Sequence, residues 1–282
     1  MKRLLFAVVL SACGAATSTP LPDTPASPPP PPPPARPSRA IEESPHLALG
    51  LPRDADDSDD LLLDKGEYVV SYNPRLNAAN WAAWRVVRAD LGHAGRTPAF
   101  RSDDALPRNV YVVKDADYHG SGYDRGHLCP SADRTSSPAV NATTFVFTNA
   151  HPQVHELNAG PWEDLEKHER ELAKSGKDVY IVAGGLFDRE PPRIGHDPDA
   201  SHRVAVPRAS FKVIVALEHG QRAEDVSTST PTIAVVMPNS REATGRAWTD
   251  YKTTIHDVER QSGYDFDARV PRATQEAIET RP

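Results

Sequence analysis

Short apolar runs rich in β-branched and aromatic residues recur between Tyr68 and Met237, each bounded by Gly, Pro, Asp or Asn. They fall at residues 68–72, 110–113, 144–148, 179–183, 204–206, 211–217 and 233–237. Runs this short, closed by turn residues, read as strands of a central sheet. Residues 81–87 fit strand or helix equally well. The clearest helix lies at 161–174: Pro161 suits a first turn, Glu163 and Asp164 suit the positive end, and Gly176 closes it. Trp162, Leu165 and Leu172 mark its buried stripe. The pattern is α+β, with order expected from about Glu67.

The N-terminal part reads differently. Lys2 and Arg3 precede an apolar stretch at 4–10, too short to span a bilayer and typical of an export signal. Leu10-Ser11-Ala12-Cys13 looks like a bacterial lipobox, so residues 1–12 read as a lipoprotein signal and Cys13 as the lipidated residue. The only membrane contact expected is that lipid anchor. The chain is expected to be exported, to the cell envelope or beyond. Seven consecutive prolines at 28–34 form a semi-rigid spacer, and the acidic run at 54–60 has little to pack against. Residues 13–66 therefore read as a disordered linker and 271–282 as a tail. One cysteine, Cys129, remains in the body, so no disulfide framework exists.

The formal net charge is −7, and beyond residue 60 the chain carries 27 basic and 31 acidic groups. No overall positive field steers a polyanion here. A nucleic-acid partner would need a local arginine cluster and a metal ion.

The chemistry concentrates in two segments. In Asp124-Arg125-Gly126-His127, a histidine can take a proton from water near neutral pH, an arginine can clamp phosphate oxygens, and a glycine lets the backbone approach a ligand. Asp124 can orient either neighbour. The second segment holds Asn149, Gln153, Asn158, Glu166 and Arg170. Asn158 offers a neutral carbonyl oxygen of the kind magnesium accepts. Glu166 and Arg170 share a helix face, and Asn158 lies on a similar side if the helix starts early.

The run GYDRGHLCPSADRTSS at 122–137, followed by TNAHPQ at 148–153 and LNAGPWEDLE at 157–166, resembles the DNA/RNA non-specific endonucleases. That family has a ββα-metal active site on a mostly antiparallel sheet flanked by helices. The resemblance spans roughly residues 67–270. It implies a sugar-non-specific nuclease of DNA and RNA, with His127 as general base and Asn158 as the one direct ligand of magnesium, manganese being the alternative ion. It further implies that Glu166 holds a water of that ion, that Arg125 and Arg170 bind the scissile phosphate, and that Asn149 and Gln153 brace the site. The expected products are a 5′-phosphate and a 3′-hydroxyl, the leaving oxygen taking its proton from a water of the ion's shell.

Some positions stay open at this level. An upstream phosphate-binding arginine is expected, and Arg96 and Arg101 both qualify. His151 and His155 have a zinc-like spacing, but Pro152 argues against the regular helix it needs. Cys129 reads as buried filler, and Asp133-Arg134 as an ion pair stiffening its loop. Two other functions compete with the nuclease: a catalytically inactive binding protein that keeps the fold, and a phosphodiesterase for small nucleotides.

Overall fold

The computed structural model describes residues 39–97 and 99–281, so the expected signal, Cys13 and the proline block lie outside the described residues. In chain order the strands are β1 (Leu61–Asp64), β2 (Val69–Asn73), β3 (Ala78–Val86), β4 (Asp124–His127), β5 (Ala150–Gln153), β6 (Lys177–Leu186), β7 (Arg193–Ile194), β8 (Val204–Ala205), β9 (Ala209–Glu218), β10 (Thr232–Pro238) and β11 (Lys252–Thr253). Seven of them form one antiparallel sheet in the order β1-β2-β3-β6-β9-β10-β11. Two antiparallel ribbons, β4-β5 and β7-β8, stand apart from it. Residues 81–87, ambiguous in sequence, lie almost wholly in β3, where Trp81 and Trp84 point to opposite faces as strand period requires.

Both faces of the sheet are covered, giving a helix–sheet–helix arrangement. On one face Trp84, Ile181, Ile214 and Met237 pack with Leu157, Trp162 and Leu165 of the helix Glu163–Lys174 and its lead-in. On the other, Trp81, Phe211 and Val213 pack with Ile255 and Val258 of the helix Ile255–Ser262 and with Phe266.

The structure corrects several expectations. Order precedes Glu67: residues 39–66 include a helical turn at Arg39–Glu42, buried Leu47 and strand β1. The acidic run is partly built in, because Asp60 accepts hydrogen bonds from the Ser71 hydroxyl, Asn80 Nδ2 and the Tyr264 hydroxyl. Tyr264 sits 204 residues away in sequence, so no local signal announces it. The expected tail contains the helix Arg272–Glu279, whose Ile278 is buried against Leu217 and Val226. Residues 110–113 are not a strand; Val113 instead fills a small cluster with Tyr118, Phe147 and Val204. Residues 144–148 run into the helical turn Phe147–Asn149, and only Val146 makes a bridge, with Arg101. The long helix begins at Glu163 rather than Pro161, since Gly160 (φ −113°, ψ −121°) breaks it from the turn before.

Candidate active site

The ribbon β4-β5 and the helix Glu163–Lys174 form a ββα unit against the sheet. Register in the ribbon pairs Gly126 with His151 and His127 with Ala150. Gly126 is dictated by close packing: a Cβ there would stand 1.9 Å from Gln153 Oε1. Gln153 is itself held from the sheet, its Nε2 donating to Ser210 Oγ of β9 at 3.0 Å. Asn149 fixes the chain leaving β4, because its Oδ1 accepts from Cys129 N and its Nδ2 donates to the carbonyls of Cys129 and Thr144. Trp162 Nε1 donates to His127 O at 3.3 Å, tying helix to ribbon.

One depression of about 250 Å³ is lined by Arg96, Arg125, His127, Asn158, Glu166 and Arg170, with Ser131 and Glu163 at its wall. A second of about 350 Å³ shares Arg96, Arg125 and Asn158 and adds Asp115, Asp124 and Phe100. The structure thus brings together His127, Arg125, Asn158, Glu166 and Arg170, the residues singled out from sequence. A larger depression of about 720 Å³, lined by Arg85, Tyr180 and Arg222, shares no residue with these two.

His127 is 7% exposed and packs in a three-ring cluster with Phe100 (4.6 Å between ring centroids) and, edge to face, Phe145 (4.8 Å). Burial and then the nearby Arg96 charge push its pKa down to about 3, so the ring is neutral. Its Nε2 has no hydrogen-bond partner among the described residues. Burial pushes Glu166 up to about 8, with Glu169 and Asp133 adding repulsion against the opposing pull of Lys212. The cost of burial and the acidic neighbours thus outweigh the positive charge of Lys212 and Arg170.

Asn158 is oriented by its neighbour. Its Nδ2 donates to Asp124 Oδ2 at 3.0 Å, so the carbonyl Oδ1 is the end left over. Asp124 also takes His155 Nδ1 at 2.8 Å. The arginines are held by carboxylates: Arg125 Nη2 by Asp115 at 2.6 Å, Arg170 Nη1 by Asp133 at 3.0 Å. Asp133 also accepts from Trp84 Nε1 at 3.0 Å. The expected Asp133–Arg134 ion pair is therefore not formed; Arg134 instead bonds Glu67 O and Arg85 O and lies near Asp90 and Glu67 carboxylates.

The structure chooses between the two upstream arginines. Arg96 lines both depressions, reaches Ser131 Oγ at 3.1 Å and lies over the Phe145 ring at 4.9 Å. Arg101 is exposed and lines neither. The two histidines with zinc-like spacing diverge: His151 is buried with Nε2 bonded to Ala79 O at 2.8 Å, whereas His155 is exposed beside Asp124. Cys129 is a buried free thiol whose pKa burial drives upward. Beneath the site lies an ion pair that the sequence reading did not single out. Lys212 Nζ and a Glu169 oxygen are 2.9 Å apart, both fully buried, with Lys212 over the Trp162 ring at 4.3 Å. A lysine inside the apolar run at 211–217 was the available signal.

Comparisons with known proteins agree with this geometry. Residues 48–273 match the family model described as DNA/RNA non-specific endonuclease. The chain is 39% identical over 243 residues to a "Nuclease" of Nostoc sp., covering 84% of this chain and 86% of that protein. It is 33% identical over 215 residues to the mitochondrial Endonuclease G of Homo sapiens, covering 73% and 69% respectively. A chain in the crystal structure of the EndoG/EndoGI complex superposes with a TM-score of 0.69 at 26% identity, covering 85% of this chain and 96% of that one.

Proposed function

From the premise that the chain belongs to the DNA/RNA non-specific endonuclease family and is an endonuclease, we propose that it hydrolyses phosphodiester bonds in both DNA and RNA, with His127 as general base. The observation that carries this reading is the shared depression where a buried neutral imidazole, two carboxylate-held arginines and an oriented carboxamide meet. The acidic net charge is offset locally by Arg96, Arg125 and Arg170.

In this reading His127, neutral throughout the physiological range, takes the proton from the attacking water. Arg125 and Arg170 grip the scissile phosphate and stabilise its developing charge, while Asp115 and Asp133 keep both guanidinium groups aimed. Arg96 adds a third positive group at the junction of the two depressions. The donor set fits a hard divalent ion: Asn158 Oδ1 is left over by the Asp124 bond, and Glu166 stands in the same depression. Asn158 would hold magnesium, or manganese in its place, with Glu166 steadying a water of its shell, and the bound ion would neutralise phosphate charge as a Lewis acid. The products proposed are 5′-phosphate and 3′-hydroxyl ends. We further propose export, with lipidation at Cys13, on the strength of the N-terminal pattern alone.

The test is cleavage of plasmid and of RNA by the soluble body in magnesium. His127→Ala is expected to cut at least ~10²–10⁴-fold more slowly while still binding nucleic acid. Undiminished cleavage would remove the general-base assignment. Binding without cutting by the wild type would favour the inactive binding protein, and hydrolysis restricted to dinucleotides would favour the small-nucleotide enzyme.

A further inference from the structure

Lysine is almost never fully buried unless it is paired. Lys212 is fully buried in the middle of the sheet, in β9, opposite Ala183 of β6 and Val235 of β10. Its Nζ stands 2.9 Å from a Glu169 oxygen, 4.3 Å from the centroid of the Trp162 ring and 5.7 Å from that of Trp84. Beyond each other, Lys212 Nζ and the Glu169 oxygens have no hydrogen-bond partner among the described residues. A buried pair of this kind adds little stability over two well-packed apolar side chains. What it has and an apolar pair lacks is a short, directed contact between one strand and one helix.

That contact bears on how the helix Glu163–Lys174 is turned about its own axis. Trp162 and Glu169 are seven residues apart, so they lie about two turns apart on one helix face, and Lys212 meets both. Glu166 and Arg170 sit about 40° and about 80° round the helix from Trp162, on the side that lines the catalytic depression. Side-chain tips stand about 5–6 Å from a helix axis, so a turn of about 20° moves them by about 2 Å. Misplacement by ~1 Å can cost ~10²-fold in rate. Trp162 also donates from Nε1 to His127 O at 3.3 Å, so the same lysine underlies the strand that bears the imidazole. Among the neighbouring charges, Lys212 exerts the leading attraction on the Glu166 carboxyl, while Glu169 and Asp133 repel it.

We propose that Lys212, acting through Glu169 and Trp162, is a positioning residue for the cleavage reaction. It sets how the helix Glu163–Lys174 is turned against the sheet, and thereby where Glu166 and Arg170 stand in the depression. Lys212 has no exposed surface and touches no substrate. This role rests on the nuclease reading and gives the reason for a charge buried beneath the site.

The experiment compares Lys212→Met, Glu169→Gln and the double variant Lys212→Met/Glu169→Leu in the full-length chain, reading thermal unfolding beside kcat and KM for plasmid in magnesium. Lys212→Met is expected to unfold at a lower temperature, because Glu169 is left buried without its partner. The double variant removes both charges and regains most of the lost midpoint. Its kcat nevertheless stays at least ~10-fold below wild type, with KM within about threefold, since only the transition-state contacts of Glu166 and Arg170 are displaced. Glu169→Gln keeps the shape of the side chain and is expected to fold with kcat reduced in the same direction. A double variant that regains kcat along with the midpoint would overturn the proposal, the pair then being structural alone. Should the double variant not fold, a wild-type kcat in Glu169→Gln would overturn it equally. A wild type that cuts nothing in magnesium would instead remove the nuclease reading on which the proposal stands.

Discussion

The two faces of the central sheet are built from one strand by opposite rules. In β9, Phe211 and Val213 turn to the face covered by the helix Ile255–Ser262 and meet Trp81, Val258 and Phe266. Their neighbours Ser210 and Lys212 turn to the face that carries the ββα unit, where Ser210 holds Gln153 and Lys212 holds Glu169. Along β9, the first face buries only apolar side chains. The other gives up apolar area to buried polar groups, each of which fixes an element bearing a site residue. Buried ion pairs are a weak source of stability, so their use here is better explained by position: Glu169 lies one turn from Glu166 and next to Arg170.

Substitutions one residue apart in β9 break this comparison most sharply. Phe211→Ala is expected to cost about 3–5 kcal/mol of stability, lowering the unfolding midpoint by roughly 6–20 °C, with the folded fraction cutting nucleic acid at the wild-type rate. Lys212→Met is expected to cost a similar 3–5 kcal/mol by leaving Glu169 buried and unpaired, and also to slow the folded fraction. Equal specific activity of the two variants, measured on folded protein, would erase the distinction between the faces.

Gly126→Ala tests the same contrast within the ribbon. The added methyl collides with Gln153, so either β4 or Gln153 must move. A loss of about 1–3 kcal/mol is expected, together with reduced cleavage because Arg125 and His127 flank the shifted residue. Normal activity with full stability would show that Gln153 yields freely and does not brace the ribbon.

His151 gives the smallest effect and the clearest sign. Burial lowers its pKa from the ordinary 6.5 to about 4, so between those values the unfolded chain holds the extra proton. Stability therefore falls as the pH drops from about 6.5 to 4, by at most about 1.4 kcal/mol per pH unit from this ring. His127 and His46 add the same trend. His151→Gln should flatten the acid side of the midpoint-versus-pH curve without steepening the alkaline side. An unchanged slope would contradict the buried neutral ring.

Where an element is decided locally, the sequence shows it. Runs 179–183, 211–217 and 233–237 are strands because β-branched side chains pack on a pleated surface, and the segments around His127 and Asn158 carry the site because ribbon, turn and helix follow each other in the chain. What escaped is non-local. Asp60 is accommodated by Tyr264, 204 residues away. Asp133 serves Arg170 rather than the adjacent Arg134, and Arg96 rather than Arg101 faces the depression, its guanidinium lying over the Phe145 ring. Ile278 becomes core only when Leu217 and Val226 arrive beside it. None of these leaves a periodicity to read.

The central claim is that the carboxamide of Asn158, turned by Asp124, presents its oxygen to the ion that activates the site. A magnesium titration of plasmid cleavage by wild type and Asn158→Ala tests it directly. The account predicts that the variant needs far more magnesium to reach half its maximal rate and stays at least ~10²-fold slower at saturation, where the metal's share of charge stabilisation is lost. An identical magnesium midpoint in the two proteins would contradict it.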